Sequence, residues 1–257
     1  AVLRGLQALS RQGVEFNLLA VVGLHNVEHP VRVYRFLRDL GPWLQFIPLV
    51  GLPEAASAQS IGRFWTSVFD TWRREDLGRV SVRLFEDAVL AWAGTPGQSC
   101  IFSERCEAPI VEHDGGVYAC DHAVDEGHRL GSLTTESLDE LMVGLQPFAE
   151  QGAPPADCAT CPWLFACQGG CPLHREGEGV SVLCDAYRHF FRHADDALRY
   201  LAWLGRQGLG AEGLAQAPPL ERWGRGLPCR CGSGRRLKSC CGLQPEASSS
   251  NRDSGTT

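Results

Sequence analysis

Residues 15–50, EFNLLAVVGLHNVEHPVRVYRFLRDLGPWLQFIPLV, decide the fold. Glu15–Val22 and Trp43–Val50 are largely apolar runs of the kind a buried strand carries. Between them Pro30 opens a helix whose Val31, Val33, Tyr34, Phe36 and Leu37 run to a stop at Gly41. Strand, helix and strand in that order predict two parallel strands joined by a right-handed crossover. Upstream, residues 1–12 place Val2, Leu3, Leu6 and Leu9 at helical spacing and stop at Gly13. Downstream, residues 58–75 predict a helix with Ile61, Phe64, Trp65, Val68, Phe69 and Trp72 on its apolar side. Val80–Phe85 then reads as a short strand before a helix through Trp92. The aromatic stripe reads as core, because helical periodicity explains it without a cofactor.

The chain has 257 residues, of which 44% are apolar, enough to bury a core. A net charge of −6 argues against a bulk binder of nucleic acid or polyanion. No apolar run approaches the roughly 18 residues a membrane span needs, so a soluble, cytoplasmic protein is expected, with no membrane partner. The opening AVLRGLQALSRQG has neither an initiator Met nor the regions of a signal peptide, and the chain is expected to be a fragment cut inside a domain. It divides into 1–94, a cysteine-rich 95–206 ending in the helical DAYRHFFRHADDALRYLAWLG, a Gly/Ala/Pro linker at 207–226, a short module at 227–242 and a tail at 243–257. The tail, ending ASSSNRDSGTT, is too polar to bury the surface that folding requires.

All twelve cysteines lie after residue 99. A disulfide scaffold suits short secreted chains, whereas this one is long and core-forming, and short C-x2-C and C-x-C spacings place neighbouring thiolates around one ion. Eight form the series Cys100-x5-Cys106-x13-Cys120, then Cys158-x2-Cys161-x5-Cys167-x3-Cys171-x12-Cys184, enough for two sets of four ligands. By ligand type alone these sets suit either iron-sulfur clusters or structural zinc.

With LQFIPLV at 44–50, SVRLFE at 81–86, GGVYACD at 115–121, RLGSL at 129–133 and CPWLFACQGGCP at 161–172, this series resembles the SPASM domain of radical S-adenosylmethionine (SAM) enzymes. Among these it is most similar to the anaerobic sulfatase-maturating enzymes, over residues 1 to about 206. The resemblance implies an α/β fold in which a partial (β/α) radical-SAM barrel at 1–94 precedes a SPASM auxiliary-cluster domain at 95–206. It implies two auxiliary [4Fe-4S] clusters, one on Cys100, Cys106, Cys120 and Cys171, the other on Cys158, Cys161, Cys167 and Cys184. It further implies SAM with a third [4Fe-4S] cluster in a full-length protein, and oxidation of a Cys or Ser in an unfolded sulfatase segment to formylglycine. Asp121 matches the family's proton acceptor, and flavodoxin or ferredoxin would be the electron partner. Leu44 looks like the family's contact to SAM, and Asn26, after the first strand, is placed to reach SAM or substrate; a Leu opening a buried strand is also simply core. Gly169 and Gly170 allow close backbone approach. His113, His122 and His128 lie near the clusters, but two complete thiolate sets leave them loop or outer-sphere roles.

The remaining cysteines, in Pro228-Cys229-Arg-Cys231-Gly-Ser-Gly-Arg-Arg-Leu-Lys-Ser-Cys240-Cys241-Gly, resemble the SEC-C motif, which implies a structural zinc on Cys229, Cys231, Cys240 and Cys241. Arg222, Arg225, Arg230, Arg235, Arg236 and Lys238 make this part basic, consistent with an acidic partner or nucleic acid and equally with a solvated charged knob. The C-x3-C-x2-C motif that binds SAM's cluster in the family does not occur here, so the chain is not expected to be the whole catalyst. A SPASM maturase acting on another peptide, or a non-catalytic iron-sulfur or zinc protein, are the other readings.

Overall fold

The first helix, α1 (Val2–Arg11), buries none of its residues. Past it, β1 (Leu18–Val22) and β2 (Trp43–Pro48) pair in parallel, Leu18 opposite Leu44 and Val22 opposite Pro48, as the strand-helix-strand reading expects. The computed structural model describes residues 2–102, 109–145, 153–177, 179–217 and 235. The connecting helix, α2 (Pro30–Arg38), opens with Pro at its first turn, where a missing N–H costs nothing. Both strands are shorter than their apolar runs. In β1 only Leu18 and Val22 are buried, while Leu19 and Val21 are 59% and 46% exposed, which corrects the expectation of a strand covered on both faces.

Helix α3 (Ala58–Glu75) matches its sequence boundaries, because Ser57 caps it by accepting a hydrogen bond from Ser60 N at 3.2 Å. All six residues of its predicted apolar stripe are buried. The strand read over Val80–Phe85 needs correction. Only Ser81–Val82 pairs with β2, as β3, and α4 (Arg83–Ala93) starts at the next residue. Phe85 and Ala88, one helical turn apart, are both buried, and the ring of Phe85 stands edge-on to Phe69 at 5.1 Å. Tertiary packing of that helical face wins over the strand-like alternation.

The cysteine-rich half contributes a three-stranded antiparallel sheet, β4 (Ile110–Val111), β5 (Gly116–Tyr118) and β6 (Arg129–Ser132). Helix α5 (Leu138–Val143), closed by a Ser137–Glu140 capping box, and the one-turn α6 (Leu164–Cys167) follow. The 23-residue α7 (Cys184–Arg206) then returns across α3 and α4. Its Phe190 meets Phe69 and Phe85 at 5.5 Å each, and Tyr187 stacks on Trp65 at 5.2 Å. Each such ring buried contributes roughly 1.5–3 kcal/mol. This seam joins the barrel-like half to the cysteine-rich half, and residues 1–215 make one compact unit that includes most of α8 (Ala211–Gln216).

Far from the cysteines, α2 is tied to the end of α3 by an ion network. The Tyr34 hydroxyl donates to the buried Asp76 at 2.8 Å, Arg38 pairs with Glu75 at 2.7 Å and also with Asp76, and Arg79 reaches Asp76 at 3.0 Å. The second unit, from Gln216 onward, falls outside the described residues apart from Gln216, Ala217 and Arg235. The zinc assignment on Cys229, Cys231, Cys240 and Cys241 lies outside the described residues, as do residues 218–226 of the linker and the whole tail. Among the described residues, no helix is long and apolar enough to cross a membrane.

Candidate metal centre

Four thiols from separate turns converge on one cavity. Cys158 sits on a single 3-10 turn after Pro154-Pro155, Cys161 follows it, Cys167 ends α6 and Cys184 begins α7. All four line a cavity of ≈ 300 Å³, together with Trp163, Leu164 and Tyr187. The chain turns back beneath it through three residues in left-handed conformation, Gln168, Gly169 and Gly170. Side chains at the two glycines would collide, since a Cβ on Gly169 would stand 3.0 Å from Pro154 Cα and one on Gly170 2.9 Å from Ser181 Cβ. The two glycines thus let this turn pack against Pro154 and Ser181.

Burial pushes the Cys167 thiol up to about 11, and its neighbours Cys161, Cys158 and Cys184 push the same way. Burial also raises the thiols of Cys158 and Cys184, and buried thiols so close together resist ionising unless a cationic centre stands among them. Soft donors, convergence and a glycine cradle fit an iron-sulfur cluster, and they also fit zinc.

The other set is arranged differently. Cys100 starts a 3-10 turn held to α4 by Asp87, a carboxylate only 1% exposed. Asp87 accepts from Gln98 N at 2.8 Å, from Ser99 N at 3.0 Å and from the Ser99 hydroxyl. Cys120 lies two residues beyond β5, and Cys171 directly follows Gly170. Cys106, assigned to the same set, lies outside the described residues. Burial, followed by Cys167, Cys100 and Cys171, raises the pKa of Tyr187, so this ring lies near thiols of both sets.

Asp121 is on the solvent side of this second group. Its carboxylate accepts from the Cys120 thiol at 3.4 Å, lies 3.6 Å from His122 Nδ1 and is 70% exposed. The backbone N–H of His122 donates to Cys120 Sγ at 3.4 Å, and its Nδ1 is 4.0 Å from the same sulfur. One ring nitrogen each of His122 and His174 lies, with Cys171 Sγ, within a span of 4.8 Å. His122 is raised, first by its hydrogen bond to Cys171, whereas burial lowers His174. His113 and His128 stay in their loops, near Glu112 at 3.7 Å and Asp125 at 2.9 Å.

Two residues singled out in the sequence sit away from the thiols. Leu44 is 1% exposed within the sheet, opposite Leu18 and Val82. Asn26 spends its amide on its own loop, accepting from Gly23 N at 3.1 Å and donating to Val21 O at 2.9 Å. Sequence reasoning missed Asp87 and His174. The second had a local signal, three residues after Cys171 on the same turn; the first had none, since its partners are ten residues away and more.

No model of a known protein family matches the chain. Among curated proteins it is 38% identical over 202 residues to a serine-type anaerobic sulfatase-maturating enzyme of Klebsiella pneumoniae, covering 74% of this chain and 51% of that one. A serine-type enzyme of Bacteroides thetaiotaomicron is 30% identical over 226 residues, 75% of this chain and 55% of the relative. A cysteine-type enzyme of Clostridium novyi is 27% identical over 221 residues, covering 78% of this chain and 59% of the other. Among solved structures, native anSMEcpe with bound AdoMet matches with a TM-score of 0.69 at 28% identity, over 77% of this chain and 60% of that chain. The mixed α/β architecture with its partial parallel sheet agrees with that structure, as the resemblance implied. The chain spans about half the length of the curated relatives it matches.

Proposed function

We propose that this chain is the part of an anaerobic sulfatase maturase that carries two auxiliary iron-sulfur clusters and the proton acceptor for oxidising a side chain of a sulfatase to formylglycine. The observation that carries the reading is the convergence of Cys158, Cys161, Cys167 and Cys184 on one cavity, in a chain 38% identical to a serine-type maturase. These four would hold one [4Fe-4S] cluster, and Cys100, Cys106, Cys120 and Cys171 the other. When bound, SAM with its own cluster supplies hydrogen abstraction from the substrate carbon, and the auxiliary clusters supply a route for the second electron.

The chain's own residues handle the proton and the placement of thiols. Asp121 takes the hydroxyl or thiol proton of the target residue, and its open position beside Cys120 is where an unfolded segment has access. A substrate lying over this carboxylate excludes water and strengthens it as a base. Serine is the favoured target, because the serine-type relatives of Klebsiella are 38% identical and the cysteine-type relatives 27–29%. The electron partner would be a small flavodoxin or ferredoxin, and the four C-terminal cysteines would close a structural zinc site.

Two measurements test this. The anaerobically reconstituted chain should bind about eight irons with matching sulfide; zinc at both sets would sink the reading. Joined to the C-x3-C-x2-C half of the Klebsiella pneumoniae relative, it should form 5′-deoxyadenosine and remove two hydrogens from a serine-containing sulfatase peptide. Cofactor cleavage with no change in peptide mass would contradict the substrate.

A further inference from the structure

The two histidines beside the open group of thiols are the densest chemistry that the proposed reaction leaves unused. We propose that His122 and His174 are positioning residues for the auxiliary cluster on Cys100, Cys106, Cys120 and Cys171, where His122 donates a hydrogen bond to a ligand sulfur and raises the reduction potential of that cluster alone. The inference rests on the two-cluster reading above.

Three observations support it. First, His122 touches two donors of one set that are far apart in the chain. Its backbone N–H points at Cys120 Sγ from 3.4 Å, and its ring shares a 4.8 Å span with Cys171 Sγ and His174. Second, the arrangement is built by the ligand turns themselves. His174 N donates to Cys171 O at 3.1 Å, closing the turn Pro172–His174, and that turn brings the His174 ring to 5.6 Å from the His122 ring, tilted by 52°. The ring of His122 is thereby packed against a partner rather than swinging in solvent. Third, among the described residues no histidine lines the cavity of Cys158, Cys161, Cys167 and Cys184.

An N–H directed at a thiolate disperses its charge and favours the reduced cluster, so its removal moves the potential negative. Asp121, 3.6 Å from His122 Nδ1, opposes this as the nearest negative group and also holds the ring towards the thiols. The set already has four cysteines, so neither histidine is required as a ligand.

The test uses the full 257-residue chain, reconstituted anaerobically, with iron and sulfide analysis and a redox titration followed by electron paramagnetic resonance. In His122→Phe about eight irons should remain, one of the two cluster signals should shift to more negative potential, and the other should stay. His174→Phe should shift the same signal less. His122→Gln, which keeps an N–H donor, should stay near wild type, a rescue that a purely structural role would not produce. Because the His122 side chain is 43% exposed, these changes leave the core untouched. Unmoved signals in iron-replete His122→Phe would overturn the inference and leave the two-cluster reading standing. Loss of about four irons would overturn it by making the histidine a ligand. Wild-type protein that takes up zinc and no iron would overturn both.

Discussion

The two thiol groups differ in how they meet solvent. Cys158, Cys161, Cys167 and Cys184 surround a cavity walled by Trp163, Leu164 and Tyr187, whereas Cys120 and Cys171 sit beside exposed Asp121 and the pair His122 and His174. That cavity also carries Asp157, Asp185 and Arg188 on its walls, so apolar rings and charged side chains share it. On the proposed reading, electron relay would fall to the first group and substrate contact to the second, beside the exposed carboxylate of Asp121.

The comparison breaks most completely if the sets are not independent. Replacing Cys167 and Cys184 by Ser should abolish the closed cluster, leaving about four irons on the open set. Iron analysis with resonance spectra checks this, and loss of every iron would show that one set folds only on the other. Next in size, Asp121→Asn in the joined enzyme should keep all iron and cofactor cleavage while formylglycine formation falls by about 10²–10⁴, the usual worth of a positioned base. Unchanged turnover would remove the open group's claim to substrate.

A smaller effect is expected at Asp87, which holds the turn of Cys100. Asp87→Asn should lower stability by about 2–3 kcal/mol, since a buried charged acceptor is lost and an amide N–H is set against backbone donors. Iron should fall only in the open set, and equal loss from both would make Asp87 a general core residue. The smallest effect belongs to Glu75, remote from both sets. Hydrogen bonding to Arg35 holds its carboxyl below the usual 4.5. The stability it contributes is present above that value and is lost as pH falls through the lowered pKa. Arg35→Gln should lower stability only slightly at pH 7, because the pair is exposed and screened by solvent, with the difference vanishing in acid, and neither cluster signal should change.

Much of the fold was legible because burial acts on local periodicity. The six apolar residues of α3 are read directly from 3.6-residue spacing, and the helix that became α7 was placed as an element without its buried face. β1 was misjudged because LLAVV is apolar on both faces, so alternation could not show that Leu19 and Val21 are exposed. Leu84 and Phe85 were misjudged because a two-residue strand runs directly into a helix, and only contact with Phe69 and Phe190 chooses the helical phase.

By itself, the sequence determined that strand and helix alternate at the start, that eight thiols come in ligand-like spacings, and that an aspartate follows one of them. Each of these is a property of neighbours along the chain. The grouping of Cys158, Cys161, Cys167 and Cys184 came only through resemblance, and their spacing does not encode it; the tertiary structure places them on one cavity, and it alone decided that Asp87 secures the turn before Cys100 and that His122 meets His174 across Cys171. These contacts join segments brought together by the return of α7 and the left-handed turn at Gln168–Gly170, and no local period encodes the meeting of residues so far apart in the chain.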